Sequence, residues 1–215
     1  MYNPPQFKED RPEVLHSLIQ QYPLAAVVAS TSNGLQAHHI PLVFEPRVGT
    51  PGILKGHIAR ANSLWRDLEA GSEVLALFQG ASHYISPNWY PSKAEHGKVV
   101  PTWNYAVVHA RGRIAWINDA IWLREFVEAL TDRHERPLVS PWQVSDAPPK
   151  YIEQMIGAIV GFEITITDMV GKWKLSQNRS AADRAGVVSA LSSFTQDAAR
   201  EMAMLVERPD KGRGG

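Results

Sequence analysis

The sequence contains no cysteine. That excludes disulfides, thiolate nucleophiles and cysteine-ligated zinc together, and it suits a reducing compartment. There is no excess of charge: 22 Lys and Arg balance 22 Asp and Glu, so no net field draws the chain towards nucleic acid or an anionic membrane. No apolar run approaches the ~20 residues that a membrane span needs. The best candidate, IGAIVGFEITI, is interrupted by Gly157, Gly161 and Glu163. The opening MYNPPQFKEDRPEV lacks the basic and apolar regions of a signal peptide. Missing too are the GxSxG, P-loop and GxGxxG patterns, so nucleophile-elbow hydrolases and the common nucleotide folds have no motif behind them. The expectation is a soluble, cytoplasmic protein with no membrane partner and no metal site.

Hydrophobic residues make up 44% and charged residues 20% of the 215, as in an ordinary globular protein. Asp10 and Pro12 read as the cap and first turn of a helix carrying Val14, Leu15, Leu18 and Ile19. Residues 24–30 read as a buried strand, Ser32, Asn33 and Gly34 as a hairpin turn, and 35–44 as the partner strand. A third strand follows at 53–58, then a short helix capped by Asn62 and Ser63. Two strands are expected near 73–78 and 82–86, a polar loop at PSKAEHGK, and a long strand at 103–115. Asn118 or Asp119 caps a helix with Leu123, Phe126, Val127 and Leu130 at helical spacing. Pro148 and Pro149 start another helix, and 159–167 forms a late strand. From Ser180 the chain reads as helical, broken near Ser192 and Ser193, with Ala198, Met202, Leu205 and Val206 as packing positions. Many strands with helices spliced between them predict an α+β barrel without an internal linker.

Three stretches carry candidate chemistry. In VVPTWNYAVVHARGRI, period two puts Tyr105, Val107, His109, Arg111 and Arg113 on one face and Ala106, Val108, Ala110, Gly112 and Ile114 on the other. The second face is narrow enough for a bulky group or another backbone to lie close. Trp89, Tyr90, Trp103 and Tyr105, with Asn88, Thr102 and Asn104, suit a planar heterocycle or an aromatic core. In GHIARANSLW, Arg60, Asn62 and Ser63 at a helix start suit a phosphate or a plain capped helix. In GKWKLSQN, Lys172, Lys174 and Ser176 share one face of an extended segment, which suits a phosphate, a polyol or a solvated edge strand. His38 and His39 are adjacent and point to opposite faces, so they form no shared metal site.

Taken in order, MYNPPQF, HIARAN, YISPNWY, VPTWNY and KWKLSQNRSAADRAGV resemble the PaiB family of FMN-binding negative transcriptional regulators. The resemblance runs from the N-terminus to about Val187. It implies an FMN-binding split β-barrel with peripheral helices and a helical C-terminal extension. Together with the helical tail read above, the expected division is a barrel domain at 1–178 and, at 179–215, a helical extension packed on it with a disordered end. It also implies a homodimer with FMN at the subunit interface. Carried over segment by segment, it makes His57, Arg60, Asn62 and Ser63 phosphate or ribityl candidates. Lys174, Ser176 and Gln177 become further contacts, and Thr102, Trp103 and Asn104 border the isoalloxazine. Ser63 stands where the family pattern has Pro.

Transcriptional regulation follows from the resemblance alone. In the tail, Arg179, Arg184, Arg200 and Arg208 are offset by Asp183, Asp197, Glu201 and Glu207, so a DNA partner has thin support from charge. Two alternatives stand beside it: a flavin-dependent oxidoreductase acting on a small molecule, and a haem-binding or haem-degrading split barrel with His109 or His57 as ligand.

Overall fold

Alternating burial marks several of the strands, and Asp119 and Ser180 cap two of the helices. In the computed structural model, which describes residues 1–207, the strands are β1 (Lys8–Glu9), β2 (Leu24–Thr31), β3 (Gly34–Pro41), β4 (Val43–Glu45), β5 (Ile53–Ala59), β6 (Glu73–Ile85), β7 (Thr102–Ile117) and β8 (Ile159–Lys174). The helices are α1 (Pro12–Gln21), α2 (Leu64–Asp67), α3 (Ser92–His96), α4 (Ala120–Glu135), α5 (Pro149–Gly157), α6 (Ala181–Ser192) and α7 (Asp197–Glu207). The strands run in the order β3-β2-β6-β7-β8-β5-β4, with β1 added to β8, and this path does not close on itself. β2 pairs antiparallel with β3 and β6, and β5 with β4 and β8. The β2–β3 turn needs Gly34, whose φ of 94° lies in the left-handed region.

The chain divides into two compact units. One comprises Met1–Tyr22, Phe78–His109 and the chain from Val170; the other comprises Pro23–Leu77 and Ala110–Met169. β6, β7 and β8 contribute residues to both. In the first unit, Ala81, Ile85 and Tyr90 are buried with Val187, Leu191, Ala199, Met202, Ala203 and Val206 of α6 and α7. In the second, Leu123 of α4 packs with Val144 and with Ile152 and Ile156 of α5.

Several sequence expectations need correcting. The two strands expected near 73–78 and 82–86 are one, β6, because Gln79 and Gly80 continue the extended backbone. The polar loop holds α3, closed by Gly97 in the left-handed conformation. In α7 the buried small residue is Ala199, not Ala198, a shift of one position that keeps the spacing to Met202, Ala203 and Val206. The expected disordered end lies outside the described residues. The tail helix does end at Ser192, and Asp119 caps α4 by accepting from the Ile121 and Trp122 amides.

β7 follows its sequence pattern closely. Ala106, Val108, Ala110 and Ile114 are at most 1% exposed, while Arg111 and Arg113 face solvent. The narrow face meets backbone at Gly112, where an added Cβ would lie 2.5 Å from the Thr165 carbonyl oxygen and 2.6 Å from Ile164 Cγ2. A carbonyl cannot rotate away as a side-chain tip can. Gly112→Ala should therefore cost about 1–3 kcal/mol through overpacking. Chemical denaturation of the variant checks this, and unchanged stability would mean that β7 and β8 part easily at this point.

Candidate functional site

The residues expected to bind a ligand fall into two groups, one in each unit. In the first unit, Thr102, Trp103 and Asn104 open β7, and Lys174 closes β8. Lys174 Nζ donates to Thr102 Oγ1. Trp103 is 55% exposed and lies edge-on to Tyr84, with ring centroids 6.3 Å apart. Asn104 is fully buried, and its Nδ2 donates to Ser176 Oγ at 3.0 Å. Ser176 does not continue the extended face with Lys172 and Lys174, because the strand ends at Lys174. Its φ of 62° is the only positive value among the described non-glycine residues. Gln177 locks this turn from inside: its Oε1 accepts from the Leu175 amide at 2.6 Å and its Nε2 donates to the Trp173 carbonyl at 2.5 Å. Asn104 and Gln177 therefore shape the turn, while Lys174, Thr102 and Trp103 present groups outward.

Lys172, grouped with Lys174 by the sequence as a phosphate or polyol face but not among the contacts carried over from the family, belongs beside these. Lys172 is 8% exposed, and its Nζ donates to the Tyr2 carbonyl at 3.0 Å. The ammonium lies 5.6 Å from the Tyr2 ring centroid and 5.4 Å from that of Tyr105. β1 puts Lys8 directly opposite it. Among the described residues no carboxylate pairs with Lys172 or Lys174, whereas Lys8 reaches Asp10 at 2.9 Å. A cation this deep without a counter-charge is costly. The signal was legible: Lys172 shares the face of β8 with Lys174.

In the second unit, the 57–63 segment is largely committed to structure. Arg60 Nε donates to the Gly157 carbonyl at 2.8 Å, and its Nη2 to Asn118 Oδ1 at 2.7 Å and the Ile159 carbonyl at 2.8 Å. Arg60 thus clamps the end of α5 to the start of β8. The cleft beside Arg60, about 620 Å³, is lined by Glu125, Glu128 and Glu153 as well as by Arg60 and Arg124, and the carboxylates outnumber the guanidinium groups, which disfavours a phosphate there. Asn62 Oδ1 accepts from the Leu64 amide at 3.0 Å, and its Nδ2 meets His38 Nδ1 at 3.3 Å. Asn62 makes the cap that both residues were expected to share; Ser63 makes no side-chain cap. α2 has only four residues, too short to present a strong helix-end field.

His57 lies half-buried against Phe126, with ring centroids 5.8 Å apart, and Phe126 stacks on Trp122. Burial pushes the His57 imidazole below its ordinary 6.5, and His109 is lowered by burial likewise. No group of three or more metal-ligating side chains occurs among the described residues.

Residues 1–168 match the family described as "Putative FMN-binding domain". The chain is similar to "Protease synthase and sporulation protein PAI 2" of Bacillus subtilis, 33% identical over 207 residues that cover 96% of this chain and 97% of that one. It is similar also to an uncharacterized protein of Emericella nidulans, 35% identical over 90% of this chain and 91% of the relative. Among solved structures it resembles the flavocytochrome Anf3 from Azotobacter vinelandii, with a TM-score of 0.55 at 16% identity over 78% of this chain and 69% of that one. The FAD and haem binding protein from Mycobacterium smegmatis gives a TM-score of 0.55 at 18% identity over 78% and 73%. These two likenesses concern the fold, which is α+β and of the split-barrel class.

Stability should depend on pH in a defined direction. The folded state holds His57 and His109 neutral below 6.5, so the unfolded state binds more protons there, and stability falls as pH drops from about 6.5 towards the lowered folded values. His57→Gln should flatten part of that fall in melting temperature between about pH 7.5 and pH 5. A variant profile parallel to the wild type would place His57 in water.

Proposed function

Because the chain belongs to the PaiB family of FMN-binding proteins, we propose that it binds FMN as a homodimer, with the cofactor at the subunit interface. One observation carries the reading: two ammonium groups without a carboxylate partner, Lys172 and Lys174, lie in the same unit as an exposed aromatic pair, Trp103 and Tyr84. FMN brings a phosphate to the first and a flat ring to the second, so the donor set fits the group. When bound, FMN supplies redox chemistry. The chain's own residues bind and orient it.

In this arrangement Lys174 and Thr102 take the phosphate oxygens, and Trp103 borders the ring. Asn104, Ser176 and Gln177 hold the turn that aims Lys174. The 57–63 segment contributes from the other protomer, where Ser63 offers an exposed hydroxyl and His57 a neutral imidazole. Arg60 and Asn62 hold that segment in shape. The biological role is that of a cytoplasmic PaiB-type regulator, and the Bacillus relative's name, which refers to a process and not to a reaction, supports it. A flavin-dependent oxidoreductase is the second reading. It is favoured by the absence of a basic stripe on the tail helices, where Arg184 and Arg200 alternate with Asp183, Asp197 and Glu201. A band shift with DNA that strengthens at low salt supports the regulator, and bleaching of bound flavin by NAD(P)H supports the oxidoreductase.

Fluorescence titration of the apoprotein tests the site. FMN should be quenched saturably and riboflavin bound at least about ten-fold more weakly, since a charge-assisted contact is worth roughly 1.5–3 kcal/mol. Lys174→Met should remove most of that preference and leave riboflavin unaffected. Trp103→Ala should weaken both ligands. Equal affinity of the wild type for FMN and riboflavin would mean that no phosphate seat exists.

A further inference from the structure

We infer that Lys172 forms an anion subsite closed by the N-terminal segment, with Tyr2 occupying the place that a phosphate oxygen takes when a ligand arrives. The inference rests on the flavin reading only for the identity of the anion.

The argument begins with what Lys172 lacks. It has three donors and spends one, on the Tyr2 carbonyl at 3.0 Å. Its remaining neighbours are two aromatic rings, Tyr2 and Tyr105, which attract a cation but do not neutralise it. Lys8, which stands opposite on β1, is paired with Asp10 at 2.9 Å, and Lys174 is two positions along the same strand. Like charges opposed across a strand pair are destabilising. The nearest acidic side chain on β1, that of Glu9, is turned to Arg11, which it accepts from at 2.8 Å. Deep burial, unspent donors and the second ammonium of Lys174 describe a seat for an anion.

The cover over this seat is built to leave. Tyr2 is 83% exposed although its ring lies against the ammonium, so little apolar area holds it down. The chain behind it is fixed. Asn3 Nδ2 donates to the Gly171 carbonyl at 2.8 Å, Phe7 is buried, and β1 pairs with β8 at Lys172 and Gly171. Pro4 and Pro5 stiffen the link between the loose residue and its anchor. Displacing Tyr2 therefore costs one carbonyl bond and one ring contact, and the anion returns a full charge pair. The ligand class is a phosphate group, either free or carried on a cofactor.

The test uses the full chain labelled with 3-fluorotyrosine. Of its six tyrosines, the Tyr2 fluorine resonance is assigned with Tyr2→Phe. Inorganic phosphate should move that resonance saturably, FMN should do so at lower concentration, and riboflavin should not. Lys172→Met should abolish the response and Lys172→Arg should retain it. Tyr2→Ala, which removes the ring contact but keeps the carbonyl bond, should tighten phosphate binding about two- to five-fold. If FMN quenches saturably while the Tyr2 resonance stays still, the inference is overturned and the flavin reading stands. If phosphate moves Tyr2 but FMN does not bind, the subsite stands and the flavin reading falls. No response to phosphate overturns the subsite outright. Should Lys172→Met fail to fold, unchanged phosphate affinity in Tyr2→Ala overturns it equally.

Discussion

Between Gly112 and the Thr165 carbonyl there is no room for a methyl group. That single close approach explains the glycine at this point of the strand. β7 offers small or compact side chains on its buried face so that neighbouring backbone can come near. Its other face is then free to carry groups that a core rejects: Tyr105, His109, Arg111 and Arg113. Arg111 reaches Glu73 at 3.0 Å, and Arg113 donates to the Gly71 carbonyl at 2.9 Å, so even this face is tied to its surroundings. One strand thus separates packing from polar chemistry by parity alone, and the polar start of β7 inherits its direction from that division.

Polar groups that are buried need their bonds supplied from inside the fold. Asp183 shows how the first unit manages this. Burial would raise its carboxyl, but the Ser92 amide and hydroxyl donate to it at 3.1 and 2.9 Å, and with Ser180 and Arg179 they hold it below its ordinary 3.8. The bonds outweigh the desolvation because several donors converge on one charged acceptor. They also tie the start of α3 to the start of α6. Tyr22 is joined to Glu201 in the same manner, linking the end of α1 to α7, and burial together with that carboxylate raises its phenol strongly. Lys172 departs from this pattern, since its neighbours supply one bond and no counter-charge.

Much of the fold was legible because it depends on local periodicity. The faces of β7, the Gly34 turn, the Asp119 cap and the helical tail all express rules that act over a few residues. The joining of two expected strands into β6 was not legible, because Gly80 reads as punctuation in a sequence. Gly80 is accommodated where a Cβ would approach Leu18 Cδ1 to 3.1 Å, a tertiary reason for a small residue. In the candidate site, residue types were readable and commitments were not. Arg60 looks free in HIARAN, yet its donors go to carbonyls and an amide nearly a hundred residues away in two cases out of three. Ser176 looked like the third member of a strand face. Its left-handed backbone depends on Asn104 and Gln177, which no spacing rule connects to it.

The strand order has ends, and β3 is one of them: it pairs with β2 and offers its other long side to no strand of the described chain. An open side of this kind is a template on which a foreign strand can add. The protection here is modest: Pro41 closes one end of β3, while Leu35 at the other is 79% exposed. Leu35 is therefore the position where a lysine would improve the keeping qualities of concentrated protein, because a charge at an edge repels a second copy before backbone pairing begins.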